Sequence, residues 1–200
     1  MRASCPECQL QYQCVCSQIP HAPDCELHLT LLMHEKEVTR DTNTGRWLCR
    51  ALPHCNAYTW QRTAIEPQLL ELIQDPNTQS VVVYPAPNSM TFTELVTSTD
   101  DKRPFHFIII DATWQEAQKI VRKSPWLKAL PFVALSTQGM QSQYQLRRNQ
   151  QSGHLCTLEV ASVLLKEMNE PVIAKQLTAF LDEFMAVYQA DKSGHALHRG

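Results

Sequence analysis

Two stretches of this chain carry residue types that do chemistry. The first is Cys5-Pro6-Glu7-Cys8, then five residues, then Cys14-Val15-Cys16. Four thiols in two tight turns suit tetrahedral zinc at a Zn–S distance of ~2.3 Å, and so compact a spacing favours a structural knuckle over an open catalytic site. A redox CxxC follows a strand in a thioredoxin-like unit, and an iron–sulfur cluster needs its own motif; neither context is present. The second stretch is Phe105-His106-Phe107-Ile108-Ile109-Ile110-Asp111-Ala112-Thr113-Trp114-Gln115-Glu116-Ala117. Five apolar residues, broken only by His106, run into an acid, a hydroxyl and an indole.

The elements that must position these residues follow from periodicity. The run 105–110 is short and β-branched, so it reads as a strand buried on both faces. Thr113 then reads as a helix N-cap with Glu116 completing a capping box; Ala117, Ile120 and Val121 face inward and Lys119, Arg122 and Lys123 outward. Pro125 ends that helix. An acid at the carboxyl end of such a strand sits where open α/β sheets bind ligands, although Asp111 is also placed to help cap the helix. Residues 26–34 form the first core strand, with His34-Glu35 at its carboxyl end. Thr42 or Thr44 caps a short helix through Leu48 and Leu52, a site for an anion or simply a capped turn. Residues 57–60 are a short strand, 67–73 a helix, 80–84 a second buried strand stopped by Pro85-Ala86-Pro87, and 88–103 a loop or weak edge element. Residues 131–135 are another strand, 136–153 are polar, and 156–168 and 171–190 are helices. Alternating strands and helices give an α/β class with a mainly parallel sheet flanked by helices. The expected division is a zinc-binding knuckle over 1–20, a main domain over 21–190 and a flexible tail over 191–200.

Composition narrows the function classes. With 44% hydrophobic and 19% charged residues the chain is an ordinary globular one. No apolar run approaches the ~20 residues that span a bilayer, and the N-terminus is no secretory signal, so a cytoplasmic location is expected. With no signal for disulfides in that compartment, Cys25, Cys49, Cys55 and Cys156 read as scattered small buried hydrophobes. There are five glycines and no glycine-rich phosphate loop, which disfavours a dinucleotide or P-loop site. The net charge is −2, but residues 64–101 hold six acids and no Lys or Arg, while residues 117–158 hold six bases and no acid. Such segregation builds a basic face on a near-neutral molecule, or merely clusters solvated helix faces.

Taken together, the motifs resemble the DTW-domain family, and within it the bacterial tRNA-uridine aminocarboxypropyltransferases. The resemblance rests on Asp111-Ala112-Thr113-Trp114, on the four-cysteine knuckle followed by Ile19-Pro20, and on His34-Glu35 and Asn43-Thr44-Gly45-Arg46. It continues through Tyr84-Pro85, Arg122-Lys123-Ser124-Pro125, Leu130-Pro131, Tyr144-Gln145-Leu146-Arg147 and Cys156-Thr157-Leu158-Glu159-Val160-Ala161, nearly the whole chain. It implies a SPOUT-like, knotted cofactor-binding region. It also implies transfer of the 3-amino-3-carboxypropyl group of S-adenosylmethionine to N3 of a tRNA loop uridine, with 5′-methylthioadenosine released. The implied partner is tRNA, with no membrane and no obligate protein partner evident.

Under that resemblance Asp111, Thr113 and Trp114 are the catalytic candidates. Tyr84, Pro85, Asp111, Trp114, Leu130, Arg147, Thr157 and Glu159 are the cofactor-binding candidates. All three carbons on a sulfonium are activated, so orientation selects which one is transferred. Trp114 suits packing against the sulfonium, or is a core aromatic. Asp111 is placed to accept the N3 proton or to orient the base. Arg147 is placed to hold the methionyl carboxylate or an RNA phosphate, and Glu159 to receive the amino group or to serve the start of its helix. N3 lies on the Watson–Crick edge, so the target base must be unpaired or flipped out. Arg46, Arg50, Lys119, Arg122, Lys123 and Arg148 would meet phosphates. The alternatives are a SPOUT-type RNA methyltransferase and a non-catalytic zinc-containing RNA-binding module. A zinc hydrolase is disfavoured, because four thiolates leave no open position on the metal.

Overall fold

A computed structural model describes residues 3–137, 140–146 and 155–198. Its centre is the apolar run already singled out, which forms strand β5 (Phe105–Asp111), buried from His106 onward. Before it come β1 (His28–Met33), the short helix α1 (Glu35–Val38), α2 (Gly45–Ala51), β2 (Cys55–Thr59), α3 (Pro67–Gln74), β3 (Gln79–Val83), β4 (Met90–Thr91) and α4 (Phe92–Thr97). After it come α5 (Trp114–Lys123), α6 (Pro125–Lys128), β6 (Phe132–Ala134), α7 (Thr157–Glu167) and α8 (Pro171–Lys192).

Among the described residues the sheet has six strands in the order β2-β1-β5-β3-β6-β4, every pair parallel. The expected α/β class with a parallel sheet is therefore what forms. β5 is flanked on one side by β1, from His28 opposite His106 to Met33 opposite Asp111, and on the other by β3. A strand paired on both edges and covered on both faces must be apolar throughout, which is why its sequence does not alternate.

The period of two sorts side chains onto two helical layers. Leu29, Leu31, Val81, Val83, Phe107 and Ile109 pack with Trp47 and Leu48 of α2, with Leu158, Ala161 and Leu164 of α7, and with Ile173, Leu177, Phe180 and Phe184 of α8. Leu32, Val82, Ile108, Ile110 and Phe132 pack on the opposite face with Leu69 of α3, Ala117 and Ile120 of α5, and Leu127 of α6. His106 belongs to the second face. Its ring nitrogens meet Thr30 Oγ1 at 2.8 Å and Ser80 Oγ at 2.9 Å, so one buried imidazole ties three adjacent strands.

Three local features add to the expectations. Residues 88–103 hold the weak edge element expected there, the two-residue β4 at the sheet's edge, and in addition α4, whose start is a Thr91–Glu94 capping box. Residues 35–38, which the periodicity leaves unassigned, form α1. The C-terminal helix passes its expected end at Ala190 and runs to Lys192, because Asp191 Oδ1 accepts from the N–H groups of Gln11 and Tyr12 at 2.7 Å each. No helix among the described residues is long and apolar enough to cross a membrane.

Candidate functional site

Asp111 ends β5 with the parity of Phe107 and Ile109, so its side chain enters the α2/α7 layer and not the α5 layer. It is fully buried. Asn43 Nδ2 donates to Oδ2 at 2.7 Å and Thr157 Oγ1 donates to Oδ1 at 2.5 Å. The same Asn43 amide donates to Glu37 Oε2 at 3.3 Å, and Glu37, also fully buried, receives Arg40. Two buried carboxylates are thus bridged by one amide. Asn43 Oδ1 in turn accepts the Arg46 N–H at 3.0 Å. Thr44, expected as a candidate cap, takes the capping position without a side-chain bond to α2; its hydroxyl instead accepts the Leu158 N–H of α7 at 3.3 Å. The starts of α2 and α7 are drawn together over Asp111. The motif Asn43-Thr44-Gly45-Arg46 signalled this node, but the role of Glu37 had no signal in the sequence.

Thr113 and Glu116 form the expected capping box: the Thr113 hydroxyl donates to Glu116 Oε2 at 2.7 Å, and Glu116 N–H donates back to Thr113 Oγ1 at 3.4 Å. Burial pushes the Glu116 carboxyl up, but the hydroxyl and N–H of Thr113, with His34 and Lys36 nearby, outweigh it and hold the group below its ordinary value. Thr113 and Glu116 close that cap, while the Asp111 carboxylate turns to Asn43 and Thr157. Trp114 lies on the other layer and is 40% exposed, so it is not a core aromatic. Its indole stacks on Tyr84 with centroids 5.5 Å apart and planes at 22°. Tyr84 and Leu130 pack against the α5-side core and Pro85 is exposed beside them.

The expected cofactor residues therefore fall into two groups at the carboxyl end of the sheet, except Leu130, which precedes β6 and lies level with Ser80 and His106 toward the amino end. Tyr84, Pro85, Trp114 and Leu130 lie on one layer, and Asp111, Thr157 and Glu159 on the other. Glu159 serves the start of α7, accepting the Cys156 N–H at 2.7 Å. It also gathers the segment before it, taking the Ser142 hydroxyl at 2.6 Å and the Gln143 N–H at 2.7 Å. Next to them the buried Tyr144 hydroxyl donates to the Thr42 carbonyl. Arg147 and Arg148 lie outside the described residues.

The four N-terminal thiols come together. Cys5 and Cys16 sulfurs are 3.9 Å apart, Cys8 and Cys14 3.8 Å, and Cys14 and Cys5 3.6 Å, with all four within 4.8 Å. A tetrahedron with Zn–S of ~2.3 Å has S–S edges of roughly 3.8 Å, so the cluster fits a metal held by four sulfurs. Backbone N–H groups of Cys8 and Glu7 directed at Cys5 lower its thiol to about 6, whereas burial raises Cys8, and against the lowering Cys16 N–H, burial and the neighbouring sulfurs raise Cys14; a metal would hold all four as thiolates.

The knuckle is strapped to the main body. Cys8, Leu10 and Val15 join the core under α2 and α8. Arg46 donates to the Cys8 carbonyl at 3.3 Å and the Asp41 carbonyl at 2.7 Å, and its guanidinium lies 4.3 Å from the Trp47 ring centroid. Arg50 reaches Cys16 Sγ at 3.3 Å and Glu7 at 3.8 Å. Both arginines, expected to meet phosphates, spend donors on the knuckle. Lys119, Arg122 and Lys123 are exposed along the outer side of α5, with Lys128 of α6 exposed beyond them.

Comparison with known proteins identifies the family. The chain is 27% identical over 197 residues to the tRNA-uridine aminocarboxypropyltransferase 2 of Drosophila melanogaster, covering 95% of this chain and 76% of that relative. No solved structure matches it. The model of the DTW domain matches residues 2–189, from the knuckle through almost all of α8, and on that match the chain belongs to the DTW domain family.

Proposed function

We propose that the protein is a transferase that moves the 3-amino-3-carboxypropyl group of S-adenosylmethionine to N3 of a tRNA uridine. The observation that carries this reading is the match along 95% of the chain to a relative named as a tRNA-uridine aminocarboxypropyltransferase. S-adenosylmethionine would supply an electrophilic carbon next to its sulfonium. The residues of this chain would bind it and present one of its three carbons to the base. The SPOUT-like cofactor region is part of this proposal. It would lie at the carboxyl end of the sheet, with Tyr84, Pro85 and Trp114 on one side and the starts of α2 and α7 on the other; Leu130 would support that wall from below, since it precedes β6.

Within this reading Asp111 acts by position. A group that takes the N3 proton must touch the base, whereas this carboxylate is fully buried between Asn43 and Thr157. Its work is to hold two helix starts at the ligand edge. Thr113 sets the direction of α5, and Trp114 with Tyr84 gives an aromatic wall. Lys119, Arg122 and Lys123 would meet RNA phosphates, and Arg147 and Arg148 remain candidates for the carboxylate and a phosphate. The knuckle would hold one zinc and brace the N-terminus, since Arg46 and Arg50 clamp it from α2.

The test is nucleoside mass spectrometry of unmodified tRNA incubated with the protein and S-adenosylmethionine. The expected product is a uridine heavier by one aminocarboxypropyl group, together with 5′-methylthioadenosine. A uridine heavier by one methyl group would establish a methyltransferase instead. An unchanged tRNA that still binds the protein would leave an RNA-binding module.

A further inference from the structure

Four cysteines lie outside the metal cluster, and the structure sorts them. Cys25 and Cys156 are buried singly. Cys49 of α2 and Cys55 of β2, which the sequence leaves as two scattered hydrophobes, have their sulfurs 2.9 Å apart with both residues half-buried. At that separation no atom lies between them. A small oxidant can reach a half-buried sulfur, and the second thiol is in place to resolve what forms on the first. The hydrogen bond from Cys55 lowers the Cys49 thiol below its ordinary value and raises Cys55, so Cys49 is the more easily ionised of the two.

The pair is also placed to matter. Cys49 stands four residues after Gly45 and so shares its face of α2. Gly45 is where that helix meets Asp111. The charge on Asp111 acts on both Cys49 and Cys55. A covalent tie between α2 and the edge strand therefore acts on the same short helix whose start holds the site.

We propose that Cys49 and Cys55 form a reversible oxidation site, closed to a disulfide by a peroxide, and that this tie resets α2 against Asp111. In the first step the Cys49 sulfur attacks one peroxide oxygen, giving a sulfenic acid and releasing the other oxygen as water. In the second, the Cys55 sulfur attacks the sulfenic sulfur, forming the S–S bond and releasing a second water. Two thiols lose two electrons and two protons, and one hydrogen peroxide becomes two waters. A dithiol reductant reverses the change.

The experiment treats zinc-loaded full-length protein with a small excess of hydrogen peroxide, blocks remaining thiols with N-ethylmaleimide, and digests with trypsin. Cleavage after Arg46, Arg50 and Arg62 separates Cys49 in peptide 47–50 from Cys55 in peptide 51–62. The expected result is a disulfide-linked pair of these peptides, zinc retained, and the link lost after dithiothreitol. Transfer to tRNA should fall several-fold on oxidation and recover on reduction, while Cys55→Ser protein should show no link and no reversible loss of transfer. Recovery of both peptides as separate maleimide adducts, while the knuckle thiols oxidise and zinc is released, would overturn the site. A quantitative link that leaves transfer unchanged would overturn its coupling to Asp111. The coupling rests on the proposed transferase activity, but the peptide readout does not, so failure of one is distinguishable from failure of the other.

Discussion

Gly45 stands against Asp111 so closely that a Cβ at residue 45 would lie 2.5 Å from Asp111 Oδ2 and 3.0 Å from Leu31 Cδ1. The glycine is required by approach, since the first residue of a helix has no unusual backbone demand. Without a side chain there, α2 can come close enough for Asn43 and Thr44 to reach the carboxylate and α7.

Gly45→Ala is therefore expected to destabilise the protein, against the general rule that alanine improves a helix by ~1 kcal/mol over glycine. The obstructing atoms are a fixed carboxylate and a core leucine, so the cost should be ~1–3 kcal/mol. Chemical denaturation measures it, and a stabilised variant would mean that α2 is free to shift.

Asp111→Asn puts an NH2 in place of one oxygen: turned toward Asn43 it opposes a donor, turned toward Thr157 it obliges that hydroxyl to rotate and accept, and either way the charge that strengthens both bonds is lost. The expected loss is ~2–4 kcal/mol, with Thr157→Val costing ~1–3 kcal/mol. A double-mutant cycle should show the two coupled by more than ~0.5 kcal/mol, since they share one hydrogen bond. Unchanged stability with turnover down ~10²-fold would return Asp111 to the role of proton acceptor.

Burial, together with the nearby His28, lowers His106 to about 4. The folded state therefore binds this proton less readily than the unfolded chain, whose histidine titrates near 6.5. The stability that depends on a neutral His106 is fully present above pH 6.5 and is lost as pH falls through 4, by up to ~3 kcal/mol. Urea unfolding at pH 7 and pH 5 should show part of this loss, and His106→Leu should flatten the pH slope between them while lowering stability at both.

Charge reversal at Arg122 or Lys123, both exposed on the outer side of α5, should weaken tRNA binding and make its salt slope shallower by about one counterion per residue. Binding of S-adenosylmethionine should be retained. Equal affinity of both variants for tRNA at two salt concentrations would place the RNA face elsewhere.

Metal analysis of purified protein should find about one zinc per chain, with Cys5→Ser or Cys8→Ser losing it and Cys25→Ser keeping it. Chelation should lower stability by ~4 kcal/mol or more, because a tightly held ion binds the folded state alone. Visible colour with iron in place of zinc would reject the assignment.

The features legible along the chain are the local ones. The β-branched run of β5 can only be buried, the Thr113–Glu116 box is written in adjacent residues, and the four-cysteine spacing closes within twelve residues, so all three were legible. The outward side of α5 followed from helical period. The remaining features depend on parity and on long loops. Asp111 and Trp114 are three residues apart, yet the alternation of β5 sends one into the α2/α7 layer while the chain leaves the strand to carry the other into the α5 layer. The partners of Asp111 come from residues 43 and 157, brought in by crossovers whose length hides the contact. Glu37 and the Cys49–Cys55 pair were illegible for the same reason: a buried carboxylate or a thiol pair is defined by what packs around it, and packing is set by strand order rather than by neighbours in the chain.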